Sequence, residues 1–232
     1  MGRLDVPTIP CDSLLHGKGA QVAGGARRDG STRPYRMRER QRAVDRTRTA
    51  ILEAAYERWL AEPYDEVTLE DVAASAGVSR QTVHRQFGSK EDLMVAVVDW
   101  RRPREDAADS RVEPGDVEAA VQHIVERHEA MGDAIARFLA IEGRIDAIDY
   151  LLEHGRIAHR AWIERCFAPL LPDDPAERET TVLALYAATD VMVWKLLRRD
   201  FGRSRSETEA SMRRLVDGVV RSSIGEVGRE RS

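Results

Sequence analysis

Apolar residues recur at three- and four-residue spacing through most of the chain after Asp45, which is the periodicity of an amphipathic helix. The first stripe of this kind predicts a helix that ends before Pro63. Its apolar positions are Ile51, Leu52, Ala55, Trp59 and Leu60. The sequence shows no strict alternation of polar and apolar residues, the pattern typical of a half-buried strand. An all-α protein is therefore predicted.

Three short helices are predicted next, because each follows a residue type that caps a helix N-terminus well. Thr68 precedes the first of them and places Asp71 at its third position. Ser79 and Ser89 precede the second and the third. Pro103 is expected to end or bend the third helix, since proline lacks a backbone N–H.

The chain beyond Gly115 predicts a larger helical bundle, so the fold class is a small N-terminal head followed by a larger C-terminal body. The segment PDDPAE is expected to form a loop between two of the predicted helices. Those helices are Val117–Glu129, Asp133–Glu142, Ile145–Leu171 with an interruption near Gly155, Arg178–Asp200 and Ser206–Ile224.

The charge distribution separates these two parts. The chain has 232 residues and a net charge of −4, but residues 1–104 carry +3 and the remainder carries −7. Nine arginines and three acidic residues lie within Ala26–Arg48. A basic N-terminal part and an acidic C-terminal part are expected of a DNA-binding head that is followed by a body without phosphate contacts.

The N-terminal segment is predicted to be a disordered arm, because Met1–Tyr35 is rich in Gly, Ser, Pro and Arg and lacks apolar periodicity. The arm is either a solvated tail or a contact to phosphates or the minor groove. Met37 begins a plausible shorter protein, so it stays open whether residues 1–36 belong to the native protein. The predicted divisions are the arm 1–44, the head 45–105, the body 106–226 and a disordered tail 227–232.

Several function classes are disfavoured by what the sequence lacks. No apolar run approaches the ~20 residues that span a bilayer, and the N-terminus does not resemble a secretion signal. Two cysteines, Cys11 and Cys166, fit a reducing cytosol, so a cytoplasmic location is expected. We expect no enzyme, catalytic residue, cofactor or metal site. The histidines pair at a five-residue spacing unsuited to one helix face, at His123/His128 and His154/His159.

The segment TLEDVAASAGVSRQTVHRQF, Thr68–Phe87, has the parts of a helix-turn-helix. Ala73 is small where two helices must cross, and Gly77 occupies the turn, where a positive φ is expected. Val83 and Phe87 are four residues apart and are predicted to anchor the second helix inward. The motif predicts DNA binding in a major groove.

The face opposite these anchors carries side chains that can reach bases or phosphates. Arg85 suits guanine, Gln81 adenine, and Thr82 a thymine methyl group. Lys90 and Thr68 begin helices, where a phosphate oxygen is favoured. The alternative for each residue is a solvated surface. The full predicted DNA-binding set is Thr68, Ser79, Arg80, Gln81, Thr82, His84, Arg85 and Lys90.

From Thr68 to Leu93 the chain resembles the TetR family of regulators, through the pattern T-x-x-D-V/I-A-x-x-A-G-V-S-x-x-T-[aliphatic]-[aromatic]-x-x-F-x-[ST]-K-E-x-L. His84 stands where the family usually has tyrosine, and Gln86 where it commonly has histidine. The segment WKLLRRDFGRSRSETEASMRRLVDGVV resembles the family's closing helices, which implies a homodimer joined by a four-helix bundle. The resemblance implies a repressor of a near-palindromic operator, released by a small-molecule effector.

Aromatic and apolar residues of the body favour an amphipathic or aromatic effector, although aromatic residues in such helices are more often part of the core. These residues are Phe138, Ile141, Trp162, Tyr186 and Trp194. Asp190 and Lys195 lie in an apolar helix, where Asp190 either lines a cavity or makes an interface contact. The alternative functions are a ligand-independent activator or architectural DNA-binding protein, and an enzyme or interaction module with a vestigial head.

Overall fold

The computed structural model describes residues 32–227, with side chains described from Met37 to Ser223. Short 3₁₀ turns at Tyr64–Glu66 and Ala168–Leu170 and a π-helical turn at Leu196–Asp200 connect some of the helices. The described residues contain no strand, which confirms the all-α fold class. The helices are α1 Thr32–Ala61, α2 Leu69–Ser75, α3 Arg80–Phe87, α4 Lys90–Asp109, α5 Val117–Leu139, α6 Asp146–Cys166, α7 Pro175–Thr189, α8 Val191–Lys195 and α9 Arg205–Val227.

Contacts between residues divide the chain between Gln41 and Arg42. Residues 1–31 of the predicted arm and residues 228–232 of the predicted tail lie outside the described residues. The first helix begins at Thr32 and not at Asp45, so that prediction was wrong. After Pro34, which a first helical turn tolerates, the segment contains Arg, Glu, Gln, Met and Ala, and these residues favour a helix without any apolar stripe.

Pro103 lies inside α4 and does not end it, because the helix continues to Asp109. A proline in this position removes one backbone donor. The carbonyl that loses this donor is that of Asp99, and the side chain of Arg104 donates to the carbonyl oxygen of the next residue, Trp100, at 3.0 Å. The long α4 therefore runs from the head into the body.

The body has fewer breaks than the sequence predicted. The two helices expected over Val117–Glu129 and Asp133–Glu142 form one helix, α5, and α6 continues through Gly155 without interruption. The single helix predicted over Arg178–Asp200 is instead divided at Asp190, whose carboxylate accepts from Met192 N at 2.8 Å and caps α8. Asp190 is therefore a helix cap, and it also lines a small cavity of the body, which is one of the two alternatives that the sequence left open for it.

Two hydrophobic clusters organise the described chain. In the first, Val83 and Leu93 of the head share a core with Ala134, Phe138 and Ile148 of α5 and α6. The second cluster connects α5 to the helices that follow it. Its fully buried members include Val125, Ile163, Leu185, Trp194 and Met212. The core of the head therefore continues into the body.

The segment Pro175–Asp200 is long and apolar enough to cross a membrane by length and composition, which the sequence analysis had not recognised. Leu185 and Trp194 within it are fully buried in the second cluster, and the segment is broken at Asp190. A core helix of a bundle has the same composition. This one segment is weak evidence for a membrane span.

Candidate nucleic-acid interface and internal cavities

The starts of α2 and α3 are fixed by hydrogen bonds in the first turn of each helix. The Thr68 hydroxyl oxygen accepts from Asp71 N at 3.2 Å, and the Asp71 carboxylate accepts from Thr68 N at 2.9 Å. The Thr68 side chain and then its backbone N–H lower the pKa of Asp71, so the carboxylate stays charged at neutral pH. Ser79 Oγ accepts from Thr82 N at 3.2 Å, and Ser89 caps α4 in the same way. All three predicted caps are confirmed.

The turn between α2 and α3 is formed by Gly77, whose φ is +66°. Side chains other than glycine rarely adopt this left-handed conformation. The backbone N–H of Val78 donates to the Ala73 carbonyl oxygen at 2.9 Å and closes the turn. Val72 and Ala73 are buried beneath it. The helix-turn-helix geometry predicted from the sequence is confirmed.

α3 has one buried and one exposed face. Val83 is fully buried and Phe87 is nearly so, which fixes the rotation of the helix. Gln81, His84 and Arg85 are exposed on the remaining surface. The structure therefore brings three of the predicted contact residues onto one accessible face, where long polar side chains can reach base edges.

The other predicted residues of α3 are engaged with neighbouring side chains. Thr82 is half-buried, and its hydroxyl oxygen lies 2.9 Å from Ser79 Oγ. Arg80 is exposed and pairs with Glu70 of α2, with 2.6 Å between Nε and the carboxylate. An exposed pair of this kind is worth about 0–1 kcal/mol, so a phosphate can displace Glu70.

Lys90 begins α4 as predicted, but its ammonium group turns into the head. Nζ donates to the Tyr64 carbonyl oxygen and lies 4.0 Å from the centre of the Tyr64 ring. Burial lowers the pKa of Lys90, while burial and then the charge of Glu91 raise the pKa of Tyr64. The Tyr64 ring in turn stacks on Trp59 at 5.9 Å. Lys90 thus ties α4 to the connection between α1 and α2.

Three arginines that the sequence analysis did not single out hold α1 against the rest of the protein. Arg48 lies 4.5 Å over the Phe87 ring, and Arg58 Nε donates to Ser75 Oγ at 3.0 Å. Arg137 of α5 donates to the Leu60 carbonyl oxygen at 2.8 Å, near the end of α1. These partners are 17 or more residues apart in the chain, so no local pattern could have indicated them.

A cavity of about 320 Å³ lies between α1, α4, α5 and α6. Its volume falls within the range of small-molecule sites, about 300–1,000 Å³. Trp59, Met94, Val97, Ile135 and Phe138 contribute apolar surface to it. Trp59 is recognisable in the sequence only as an apolar helix position, and Met94 is not singled out there, because one helix does not show where its neighbours leave a void.

A smaller cavity of about 110 Å³ is lined by two buried histidines. His128 Nε2 donates to the Thr189 carbonyl oxygen at 2.9 Å, and His159 Nε2 is 3.0 Å from the Thr189 hydroxyl. That hydroxyl donates to Leu185, so it accepts from His159. Burial lowers the pKa of His128 to about 4 and of His159 to about 3. Both rings are therefore neutral at pH 7 and join α5 and α6 to the end of α7.

The five predicted effector residues are not gathered at one place. Phe138 lines the larger cavity and Tyr186 the smaller one. Ile141, Trp162 and Trp194 line neither of these two cavities, and both tryptophans are buried in the second hydrophobic cluster. Within residues 32–227 no three His, Cys, Asp or Glu side chains are grouped so that they could hold a metal ion.

Residues 51–97 match the family of bacterial regulatory proteins described as the tetR family. The transcriptional repressor LfrR of Mycolicibacterium smegmatis is 36% identical over 124 residues, which is 53% of this chain and 64% of LfrR. The transcriptional regulator TcmR of Streptomyces glaucescens is 36% identical over 59 residues, 25% of this chain and 26% of TcmR. These alignments cover less than two thirds of either relative.

Solved structures share the fold over a longer stretch. A tetR-family transcriptional regulator from Streptomyces coelicolor superposes with a TM-score of 0.61 at 20% identity, covering 78% of this chain and 89% of that one. A TetR transcription regulator from Haloarcula marismortui gives 0.60 at 17% identity, over 77% and 98%. At such identities the likeness concerns the fold alone.

Proposed function

From the chain's membership of the TetR family, we propose that it is a homodimeric transcriptional regulator that binds a near-palindromic operator. The observation that carries the proposal is the exposed face of α3 opposite the buried Val83 and Phe87. A short helix fixed by two inward anchors presents the same side chains to DNA in every molecule. In this proposal the head, residues 45–105, binds DNA. The body, residues 106–226, forms the dimer and binds the small-molecule effector.

The proposed base contacts are Gln81, His84 and Arg85, because they are exposed together on α3. An arginine can donate to both acceptors of guanine in the major groove, and a glutamine can pair with adenine. Arg80 is proposed to reach a phosphate after leaving Glu70. His84 replaces the tyrosine usual in the family and is proposed to use a ring N–H toward the backbone.

Three residues of the predicted contact set are proposed to act mainly by positioning. The hydroxyls of Thr68 and Ser79 hold the first turns of α2 and α3, and Thr82 packs beside Ser79. We assign Lys90 to the same group, since its ammonium is already bonded to Tyr64. A direct phosphate contact by Lys90 would require it to give up that bond.

A homodimer is supported by apolar side chains left exposed on the last helices. Isolated exposed apolar residues are ordinary, but several on adjoining elements favour an interface. One short recognition helix also specifies few base pairs, and two-fold symmetry doubles them. The side chains are Leu183 at 54% exposure, Met192 at 48%, Leu196 at 43%, Phe201 at 60% and Leu215 at 47%.

Repression relieved by a small molecule is the proposed mode of regulation, and the larger cavity supports it. Both α1 and α4, which hold the DNA-reading helices, form walls of this cavity together with α5 and α6. A ligand that fits one spacing of these helices better than another shifts the population between them. The competing proposal is a ligand-independent activator or architectural protein. A cytoplasmic location follows from either proposal, since both act on DNA.

Footprinting on a palindrome of about 15–25 base pairs near the encoding gene, with and without small molecules, tests the proposal. Arg85→Ala should weaken operator binding by about 1–3 kcal/mol per half-site and relax sequence preference. Arg111→Ala removes the same charge from an exposed position in the body and should leave operator binding unchanged. Equal loss of operator and random DNA binding in Arg85→Ala would contradict the base-reading role. No protected palindrome would contradict the proposed function.

A further inference from the structure

The larger cavity has an apolar interior with charged side chains on part of its wall. Met94, Val97, Ile135 and Phe138 represent the apolar part of its lining, and Arg101 of α4 is among the charged residues. An apolar void of this size favours an apolar ligand body, because such surface gains free energy on leaving water. The charged and polar lining groups then decide what the ligand must carry.

Two buried polar atoms of the lining residues have no hydrogen-bond partner within the described part of the chain. They are the indole nitrogen Nε1 of Trp59 and the guanidinium nitrogen Nε of Arg101. Trp59 is only 3% exposed. Buried polar groups in folded proteins are almost always satisfied, so each exception requires an explanation such as water or a ligand. Both atoms are donors, so the missing partner is an acceptor.

Arg101 is held in place while its charge is only partly matched. Its guanidinium carbon lies 4.3 Å from the centre of the Tyr56 ring, which limits where the planar group can point. Glu105 is 3.4 Å from Nε, but the geometry does not make a hydrogen bond. The side chain of Arg101 is 24% exposed, so it is partly removed from water. A planar cation in this state is suited to a carboxylate, which it can bind through two parallel hydrogen bonds.

Asp109, an acidic residue on the same wall, already has two partners. Asp109 lies 2.8 Å from His123 Nε2 and 3.6 Å from Arg127. Glu105 has Arg101 beside it. The third acid of the lining, Asp106, is exposed to solvent. A cationic ligand inside the cavity would therefore have to displace existing partners from Glu105 and Asp109, whereas an anionic ligand supplies a partner that is missing.

We propose that the cavity binds an apolar, preferably aromatic, molecule that ends in a carboxylate, and that Arg101 selects the acid. In this arrangement the ligand's apolar body lies among the α5 side chains, and its carboxylate accepts from Arg101. The Trp59 N–H donates to a second acceptor or to the same group. This inference rests on the proposed ligand-responsive function, and it names the ligand class.

The probes are phenylbutyrate, its methyl ester and phenylbutylamine, which share one apolar body and differ in the terminal group. Binding to the full-length protein is followed by calorimetry and by tryptophan fluorescence, without DNA. Phenylbutyrate should bind about tenfold more tightly than the ester or the amine, because its hydrogen bonds with Arg101 are charge-assisted. Binding of the amine as tight as that of the acid, or no saturable binding of the acid, would overturn the proposal.

Variants distinguish a specific role of Arg101 in ligand binding from a general effect of substitution on folding. Arg101→Met should reduce acid affinity about tenfold while leaving ester affinity nearly unchanged. Arg111→Met, an exposed body position with the same charge change, should change neither. Glu105→Gln should raise acid affinity, since it removes the anion beside Arg101. If Arg101→Met affected acid and ester equally, or Glu105→Gln weakened acid binding, Arg101 would not be the selecting residue.

Operator binding in the presence of each probe keeps the two proposals distinguishable. If the acid binds as expected but operator occupancy does not change, ligand-released repression fails and the assigned ligand class stands. If only the amine or the ester releases the operator, the ligand class fails and the proposed regulation stands.

Discussion

Glu129 of α5 is one of two acids, together with Asp133, that join the π-helical turn to α5, and replacing it tests how the end of the fold is held. Its carboxylate accepts from Arg198 Nε at 2.5 Å and Nη2 at 2.9 Å, and from Trp194 Nε1 at 2.8 Å. Glu129→Gln retains an oxygen for the tryptophan N–H but loses the negative charge that faces Arg198. The variant therefore isolates the ion pair with little change in volume.

The structure indicates the size of this loss. Hydrogen bonding from Arg198 is the first cause that lowers the pKa of Glu129 from 4.5 to about 2. At ~1.4 kcal/mol per pKa unit the shift corresponds to about 3 kcal/mol at neutral pH. Solvent screening reduces this figure, because both side chains are 21% exposed. We expect Glu129→Gln to lower the free energy of unfolding by about 1–3 kcal/mol at pH 7.

The pH dependence supplies the decisive measurement. Since the folded pKa of Glu129 is lowered, its contribution is complete above about pH 4.5 and is lost as the pH falls toward 2. Urea unfolding followed by circular dichroism, at one protein concentration from pH 7 to pH 3, should show the two proteins converging at the acidic end. Glu179→Gln removes an exposed partner of Arg160 and should have a much smaller effect. A difference that stays constant with pH would refute the ion-pair explanation.

Three further changes probe the body, the head and the dimer. Gly132→Ala should destabilise the protein by about 1–3 kcal/mol in urea unfolding, because its Cβ would lie 2.7 Å from Trp194 Cε3, in a ring that is fully buried. Lys90→Met should lower the melting temperature while the salt dependence of DNA binding keeps its slope, since the ammonium is bonded inside the head. Leu183→Glu should convert the proposed dimer to a monomer in light scattering after size exclusion.

For each of these three substitutions, one result would contradict the explanation given. Gly155 is an interior helix position with open space around it, so Gly155→Ala should raise the free energy of unfolding by about 0.5–1 kcal/mol. An equal loss of stability in Gly132→Ala and Gly155→Ala would exclude the packing argument. If Lys90→Met reduced the slope of DNA affinity against salt concentration by about one, Lys90 would contact a phosphate and the positioning role would be wrong. Ile157→Glu, an exposed apolar position on α6, should leave the dimer intact; dissociation of both variants would place the interface elsewhere.

The start of α1 and the division of the later helices show where local patterns failed. Periodicity predicts the first helix only from Asp45, shortly before its apolar stripe begins at Ile51, whereas helix propensity without an apolar stripe extends α1 back to Thr32. Asp190 is a residue type that caps helices well, but its position within a long apolar run favoured one continuous helix over two. The expected interruption of α6 near Gly155 was wrong, since the neighbours of this residue in space were unknown.

The sequence by itself determined the head: the caps at Thr68 and Ser79, the positive φ of Gly77, and the inward anchors Val83 and Phe87. These features depend on residues within a few positions of one another, so spacing alone reveals them. Only the tertiary structure decided that Lys90 bonds to Tyr64 and that the larger cavity lies where four helices meet. Such features arise from side chains far apart in the chain, and periodicity along one helix carries no information about the helix that will face it.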